Sequence, residues 1–158
     1  MNILDPTEAD ESLADDNLPL LYHVVYCSSA AAGIDDAAVD RIIQTAHRNN
    51  PRHGITGLLV FGSQTFFQWI EGPRADVRRL MDIIKADPRH QNVVELSETE
   101  ELRERLFPDW AMERVTPNEI REVLLDAQQD ACDAQSAEAL GAMLAQLESS
   151  PLAAGARD

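Results

Sequence analysis

The chain has few cysteines, few basic residues and no long apolar run, and each shortage excludes a class of protein. Its two cysteines, Cys27 and Cys132, cannot build a disulfide framework or a CxxC metal site, which predicts a reducing compartment and no metal. Thirteen Lys and Arg residues against 28 Asp and Glu residues give a formal charge of −15, which argues against direct binding of nucleic acid. No segment has the length of a membrane span or the pattern of a signal peptide. We therefore expect a soluble protein of the cytoplasm.

The composition suits one folded domain with appendages. The chain has 158 residues, of which 44% are hydrophobic, enough to bury one core. Residues 1–19 carry six acidic residues and no Lys or Arg, which predicts a flexible acidic arm. We expect the main domain over residues 20–115, a helical extension over residues 116–150 and a frayed tail over residues 151–158.

The order of the elements predicts the fold. β-branched and aromatic runs alternate with helical stripes, and a Gly62-Ser63-Gln64 turn joins two runs as in a hairpin. This order favours an α+β, ferredoxin-like βαββαββ sheet with two helices on one face. The strands are expected at 20–28, 55–61, 65–71, 92–99 and 110–115, and the helical stripes at 39–50 and 77–84.

Two further amphipathic stripes, at 120–127 and 140–147, need a surface to cover. The strand TFFQWIE offers one, because Phe66 and Ile70 share one face while Phe67 and Trp69 share the other. Since both faces are apolar, both should be buried. The C-terminal helices are therefore expected on the second face of the sheet or in an oligomer interface.

Three polar residues are expected in the apolar interior on the helix side of the sheet. Tyr26 and Gln68 lie on strands, and Asn50 ends the first helical stripe. Singly, each is more often structural, a side chain that bonds to backbone or caps a helix. Together, with Ile42 and Ile84 as aliphatic walls, they would form a slot that suits a flat heteroaromatic ring.

The stretches LYHVVYCSSA, NNPRHGITGLLVF, TFFQWIEGP, DPRHQNV and FPDWAM resemble the BLUF family, the blue-light sensors that use flavin. The resemblance covers roughly residues 20–115. It implies a non-enzymatic photoreceptor that binds oxidised flavin, with FAD as the first candidate and FMN as the second.

The resemblance also assigns roles to single residues. Tyr26 matches the photoactive tyrosine, and Gln68 matches the glutamine between that tyrosine and the flavin. Asn50 matches the asparagine that holds the carbonyl and imide edge of the flavin, and Asn49 occupies the neighbouring, more variable position. Ile42 and Ile84 match the residues that sandwich the flavin ring. The remaining matches are Ser28 near the tyrosine, Arg89 and His90 near the pyrimidine side or the phosphate chain, and the W-x-M pair Trp110 and Met112.

The implied mechanism is a hydrogen-bond switch. The Gln68 amide has a donor end and an acceptor end, which exchange by rotation or tautomerisation and leave the flavin with a different hydrogen-bond pattern and a red-shifted spectrum. Because such an exchange is worth roughly 1 kcal/mol, the output must be a population shift. The residues after Thr116 are too few for a cyclase or phosphodiesterase, so we expect the signal to pass to the C-terminal helices, and from them to a protein partner or a homo-oligomer.

Two alternatives remain open at the level of sequence. An acylphosphatase-like enzyme would share the fold, but the SSAAAGIDD segment before the first helix lacks the arginine that such an enzyme needs. A light-insensitive flavin-binding adaptor would keep the fold without the photocycle, although Tyr26 and Gln68 are both present. The arginines Arg74, Arg78 and Arg79 are expected on a solvated face, with a smaller chance that one meets flavin phosphates.

Overall fold

A computed structural model of the chain describes residues 19–130 and 134–148. The predicted acidic arm (apart from its last residue), the tail and Cys132 lie outside these ranges. The strands are β1 (Leu20–Ala30), β2 (Thr56–Gly62), β3 (Thr65–Gly72), β4 (His90–Leu102) and β5 (Glu113–Val115). The helices are α1 (Asp36–Asn49), α2 (Arg74–Ala86), α3 (Ile120–Asp130) and α4 (Ala134–Glu148), and a 3₁₀ turn, Asn50–His53, follows α1.

The five strands form one sheet in the order β4-β1-β3-β2-β5, which confirms the predicted βαββαββ arrangement. Only β2 and β5 are parallel, and the other neighbouring strands are antiparallel. The β2–β3 hairpin turns through Ser63 and Gln64, whose positive φ angles of 51° and 56° fit the turn type that matches strand twist. The hairpin brings Gln68 into the centre of the sheet, between β1 and β2.

The first face of the sheet is covered by α1 and α2. Asp35 caps α1, since its Oδ1 accepts a hydrogen bond from the Ala38 N–H at 2.9 Å. The apolar stripes of the two helices pack on side chains of β1 and β3, among them Val24 and Ile70. Tyr22, Val24 and Tyr26 of β1 share this face, because alternate residues of a strand point the same way and all three belong to this core.

The second face of the sheet is covered by α3 and α4. Phe67 and Trp69 are fully buried there against Leu124 and Met143. Of the two expected positions for the C-terminal helices, the structure shows the one on the sheet. The alternation in β3 therefore predicts both cores.

Two strands differ in length from the prediction. The fourth extends to His90 and Leu102, while the fifth begins at Glu113 instead of at residue 110. The reason for the short β5 is that the carbonyl groups of Ala111 and Met112 accept hydrogen bonds from side chains of α1 and the 3₁₀ turn. The Ala111 and Met112 carbonyls therefore bond to α1 and its 3₁₀ turn, while the Trp110 carbonyl accepts a hydrogen bond from the Gly57 N–H of β2 at 2.8 Å.

A buried ion pair anchors the segment that leads to β5. Glu71 and Arg103 both have no solvent exposure, and Glu71 Oε1 lies 3.1 Å from Arg103 Nη1. The Glu71 carboxylate also accepts hydrogen bonds from the backbone N–H groups of Leu106 and Phe107, at 3.2 and 3.0 Å. Because every charge here has several partners, β3 holds the start of this segment firmly.

A histidine completes this buried cluster. His23 stacks on the Trp69 indole with ring centroids 4.1 Å apart, and its Nδ1 accepts hydrogen bonds from Thr99 Oγ1 and Arg103 Nη2. Burial and the Arg103 charge lower the pKa of His23 to about 3. The imidazole is therefore neutral at physiological pH.

Strand β4 forms one edge of the sheet and is rich in glutamate. Arg78 on α2 pairs with Glu95 and Glu98, at 3.0 and 3.4 Å, and Arg74 pairs with Glu100 at 3.4 Å. These two arginines are therefore tied to β4. Within the described ranges, no helix is long and apolar enough to cross a bilayer.

Candidate functional site

A cleft of about 230 Å³ opens between α1 and α2 above the first face of the sheet. Its aliphatic walls include Ile42 from α1 and Ile84 from α2. Such a volume lies below the range of about 300–1,000 Å³ that encloses a whole drug-sized ligand. The cleft therefore suits a flat ring system whose remaining part extends towards solvent. Seven of the residues singled out in the sequence line it: Ile42, Asn49, Asn50, Gln68, Ile84, Arg89 and His90.

The floor of the cleft is a tyrosine–glutamine pair. Tyr26 on β1 and Gln68 on β3 are directly opposite each other in the antiparallel ladder, and the Tyr26 hydroxyl donates a hydrogen bond to Gln68 Oε1. Tyr26 has no solvent exposure and lies behind Gln68, which reaches the cleft. Burial raises the pKa of the Tyr26 phenol well above its usual value, so the phenol keeps its proton.

The other end of the Gln68 amide contacts a methionine. Gln68 Nε2 lies 3.1 Å from Met112 Sδ, and Met112 is buried in the first core. A thioether sulfur is a weak acceptor, whereas a phenol is a good donor. The amide is therefore held strongly at its oxygen and weakly at its nitrogen.

The end of α1 holds the backbone next to that methionine. Asn50 Nδ2 donates to the Ala111 carbonyl at 2.6 Å, and His47 Nε2 donates to the Met112 carbonyl at 2.8 Å. Asn50 is buried and starts the 3₁₀ turn, which Gly54 closes with a left-handed φ of 67°. Because Nδ2 is used by the protein, Oδ1 is the end of the Asn50 amide that can serve a ligand.

The two residues of the W-x-M pair lie on opposite sides of the sheet. Met112 contacts Gln68 in the first core, whereas Trp110 is half-buried against the second core. The Trp110 ring stacks on Phe107 with centroids 5.1 Å apart. In this structure the methionine, and not the tryptophan, is the neighbour of the glutamine.

The start of β4 closes one end of the cleft. Ser28 Oγ lies 2.8 Å from His90 Nδ1, and the buried His90 has its pKa lowered by burial. Ser28 does not line the cleft itself. Arg89 contacts both carboxylate oxygens of Asp87, down to 2.6 Å, and this guanidinium lowers the pKa of Asp87.

Several lining residues were not found from the sequence. They include His53 and Asp76 at the end of the cleft where α1 ends and α2 begins, and Arg79 beside them was singled out only as one of three arginines. The sequence carries a weak signal for Arg79, its place among three arginines, but none that separates it from Arg74 and Arg78. The other lining residues missed are Thr45, Ala46, Ile55, Leu80, Ile83 and Asp87.

The residues of the cleft fit the ring system of a flavin. The walls are aliphatic, and amide groups stand at the floor and at one edge, where a ring with alternating donors and acceptors can bind. Within residues 19–130 and 134–148, no group of three or more His, Cys, Asp or Glu side chains is placed to hold a metal ion.

Comparison with protein families decides the assignment. The family model BLUF, described as sensors of blue-light using FAD, matches residues 21–113. The chain belongs to the BLUF family. This membership supports a flavin-based sensor of blue light as the function, and not the acylphosphatase-like alternative.

Curated BLUF relatives include longer proteins. The blue light- and temperature-regulated antirepressor BluF of Escherichia coli is 40% identical over 58 residues, which are 37% of this chain and 14% of BluF. The photoactivated adenylate cyclase subunit beta of Euglena gracilis is 33% identical over 94 residues, which are 59% of this chain and 11% of that subunit. The chain thus spans a small part of the curated relatives that it matches.

Solved BLUF structures share the fold. The dark-state structure of BlrB, a BLUF protein, is 30% identical with a TM-score of 0.62, and the match covers 82% of this chain and 98% of BlrB. A bacterial light-regulated adenylyl cyclase is also 30% identical, with a TM-score of 0.60 and coverage of 70% and 34%. These matches confirm the α+β, ferredoxin-like fold.

Proposed function

We propose that the chain is a blue-light photoreceptor that binds oxidised flavin, FAD or FMN, between α1 and α2 and signals through the Tyr26–Gln68–Met112 contacts. The observation that carries this proposal is the hydrogen bond from the buried Tyr26 hydroxyl to Gln68 at the floor of the cleft. It joins a phenol to an amide that faces the site of the ring.

The remaining cleft residues would hold the cofactor. Ile42 and Ile84 line opposite walls and would pack on the two faces of the ring. Asn50 Oδ1 and the Asn49 amide would form hydrogen bonds with the imide edge of the ring. Arg89 and His90 lie at the end of the cleft that the start of β4 forms. There they would contact polar groups of the ring or of its side chain.

The switch depends on the asymmetry of Gln68. Bound flavin would supply the absorption of blue light and an excited state able to take an electron from a nearby phenol and return it. Tyr26 holds its proton against Gln68 Oε1, and rotation or tautomerisation of Gln68 exchanges its donor and acceptor ends. The weak contact of Nε2 with the Met112 sulfur costs little to break. A difference of roughly 1 kcal/mol is enough to shift the population of two states.

The output would pass from Met112 to the C-terminal helices. Met112 lies one residue before β5, and Val115 at the end of β5 is buried among the residues of α3 and α4. The segment therefore connects the cleft core with the second core. We propose residues 20–115 as the flavin-binding domain and residues 116–150 as the helical output, which acts in the cytoplasm on a partner protein or in a homo-oligomer and performs no catalysis.

A visible spectrum before and after blue light tests this proposal. Purified protein should be yellow, and illumination should give a red shift that reverses in the dark. Tyr26→Phe and Gln68→Leu should bind flavin without this shift. Tyr22→Phe is the matched control, because Tyr22 lies on the same face of β1 but bonds to Glu98 and Arg78. Colourless protein that rejects added flavin, or a normal photocycle in Tyr26→Phe, would refute the proposal.

A further inference from the structure

The three arginines at the start of α2 have different surroundings. Arg74 pairs with Glu100, and Arg78 pairs with Glu95 and Glu98 on β4. Arg79 is the one of the three that lines the cleft. Successive residues of a helix point about 100° apart, which is why neighbours in sequence face different partners.

Arg79 belongs to a small polar cluster at one end of the cleft. Its Nη2 donates to Asp76 Oδ1 at 3.0 Å and to His53 Nδ1 at 2.9 Å. Both contacts use the same nitrogen of the guanidinium. The group can therefore receive an anion at Nε and Nη1 while it keeps both partners.

The second arginine of the cleft is less suited to bind another anion. Arg89 uses Nε and Nη2 against both oxygens of Asp87, at distances between 2.6 and 3.1 Å. The donors on this side of the guanidinium are therefore already used in a bidentate pair. Of the two arginines, Arg79 has the more open donor set.

The charge of the chain favours a cation beside a phosphorylated ligand. At a formal charge of −15, the protein as a whole repels a phosphate, and a nearby cation offsets this repulsion. The cleft has room for a ring, so the chain attached to that ring must leave through an end. We infer that Arg79, with His53 beside it, is a phosphate subsite, which makes the protein prefer the phosphorylated flavins FMN and FAD to riboflavin. This inference rests on the proposed function.

Titration of the flavin-free full chain with riboflavin, FMN and FAD tests the subsite, with flavin fluorescence as the readout. The unmodified protein should bind FMN and FAD about tenfold more tightly than riboflavin, the effect of one charge-assisted hydrogen-bonded contact. In Arg79→Gln this preference should fall to about twofold or less, with the affinity for riboflavin unchanged. Arg74→Gln, which removes the same charge from the β4 side of the helix, should keep the full preference.

The possible results separate the inference from the proposed function. If the unmodified protein binds none of the three flavins, the proposed function fails. If it binds all three equally, or if Arg79→Gln keeps the preference, the subsite is refuted and the photoreceptor proposal stands. If Arg79→Gln also fails to bind riboflavin, the titration is repeated with Arg79→Lys. In Arg79→Lys, part of the preference for FMN and FAD over riboflavin should remain, and this part should shrink as the salt concentration is raised. A preference equal to that of the unmodified protein, or one insensitive to salt, overturns the inference.

Discussion

Replacement of His23 by glutamine should change how the stability of the protein depends on pH. His23 is 3% exposed, and its Nδ1 accepts hydrogen bonds from Thr99 and Arg103. A glutamine Oε1 can accept from the same donors but does not titrate. The variant therefore removes the proton-binding site while it keeps an acceptor in place.

The sign and the size follow from the lowered pKa. The pKa of His23 is about 3 in the folded protein and 6.5 in the unfolded chain. Below pH 6.5, His23 binds a proton in the unfolded chain but not in the folded protein. The free energy of unfolding therefore falls as pH falls from 6.5 towards 3. Between about pH 7.5 and about pH 5 this one group should remove about 2 kcal/mol.

Urea unfolding of the full chain at those two pH values measures the effect. The loss of stability on acidification should be about 2 kcal/mol smaller in His23→Gln than in the unmodified protein. His90 also has a lowered pKa and acts in the same direction, but it is present in both proteins and cancels in the comparison. An equal loss in the two proteins would refute the assignment of a neutral, buried His23.

Three other substitutions, one of them with a control variant, test the packing and the output. Glu71→Gln removes the buried counter-ion of Arg103, leaves only the longer 3.6 Å pair with Glu101, and should lower the free energy of unfolding by about 3 kcal/mol. A cost below about 1 kcal/mol would contradict a tight Glu71–Arg103 pair. Gly57→Ala would place a Cβ 1.9 Å from the Trp69 carbonyl oxygen and should lower the free energy of unfolding by about 3 kcal/mol in the same assay. Gly141→Ala is the control and should lower it by nothing, because the atom nearest to its Cβ, at 3.1 Å, ends a flexible side chain. Trp110→Ala should keep the red shift and change the dark-recovery rate or the assembly state, and unchanged values of both would contradict a role in output.

The parts of the site that follow from strand alternation were predictable. Alternation alone put Tyr26 and Gln68 on the helix side and Trp69 on the other, and the antiparallel register of β1 and β3 placed the first two directly opposite each other. Ile42 and Ile84 followed from helical spacing in the same way. These features depend on local periodicity and on one ladder between neighbouring strands.

The parts that depend on contacts between distant segments were not predictable. The Glu71–Arg103 pair joins the end of β3 to a loop, and both side chains belong to a type that is usually exposed. The late start of β5 depends on side chains from the end of α1, and no periodic pattern indicates such contacts. The choice of Arg79 over Arg78 depends on the rotation of α2 about its own axis.

The glutamates of β4 also bear on how copies of this protein meet. β4 is 13 residues long, and among residues 19–130 and 134–148 no strand pairs with its outer side, which makes it an edge strand. Glu98 and Glu100 pair there with Arg78 and Arg74, and charged side chains on an edge strand disfavour its pairing with a second copy, which directs self-association towards other surfaces.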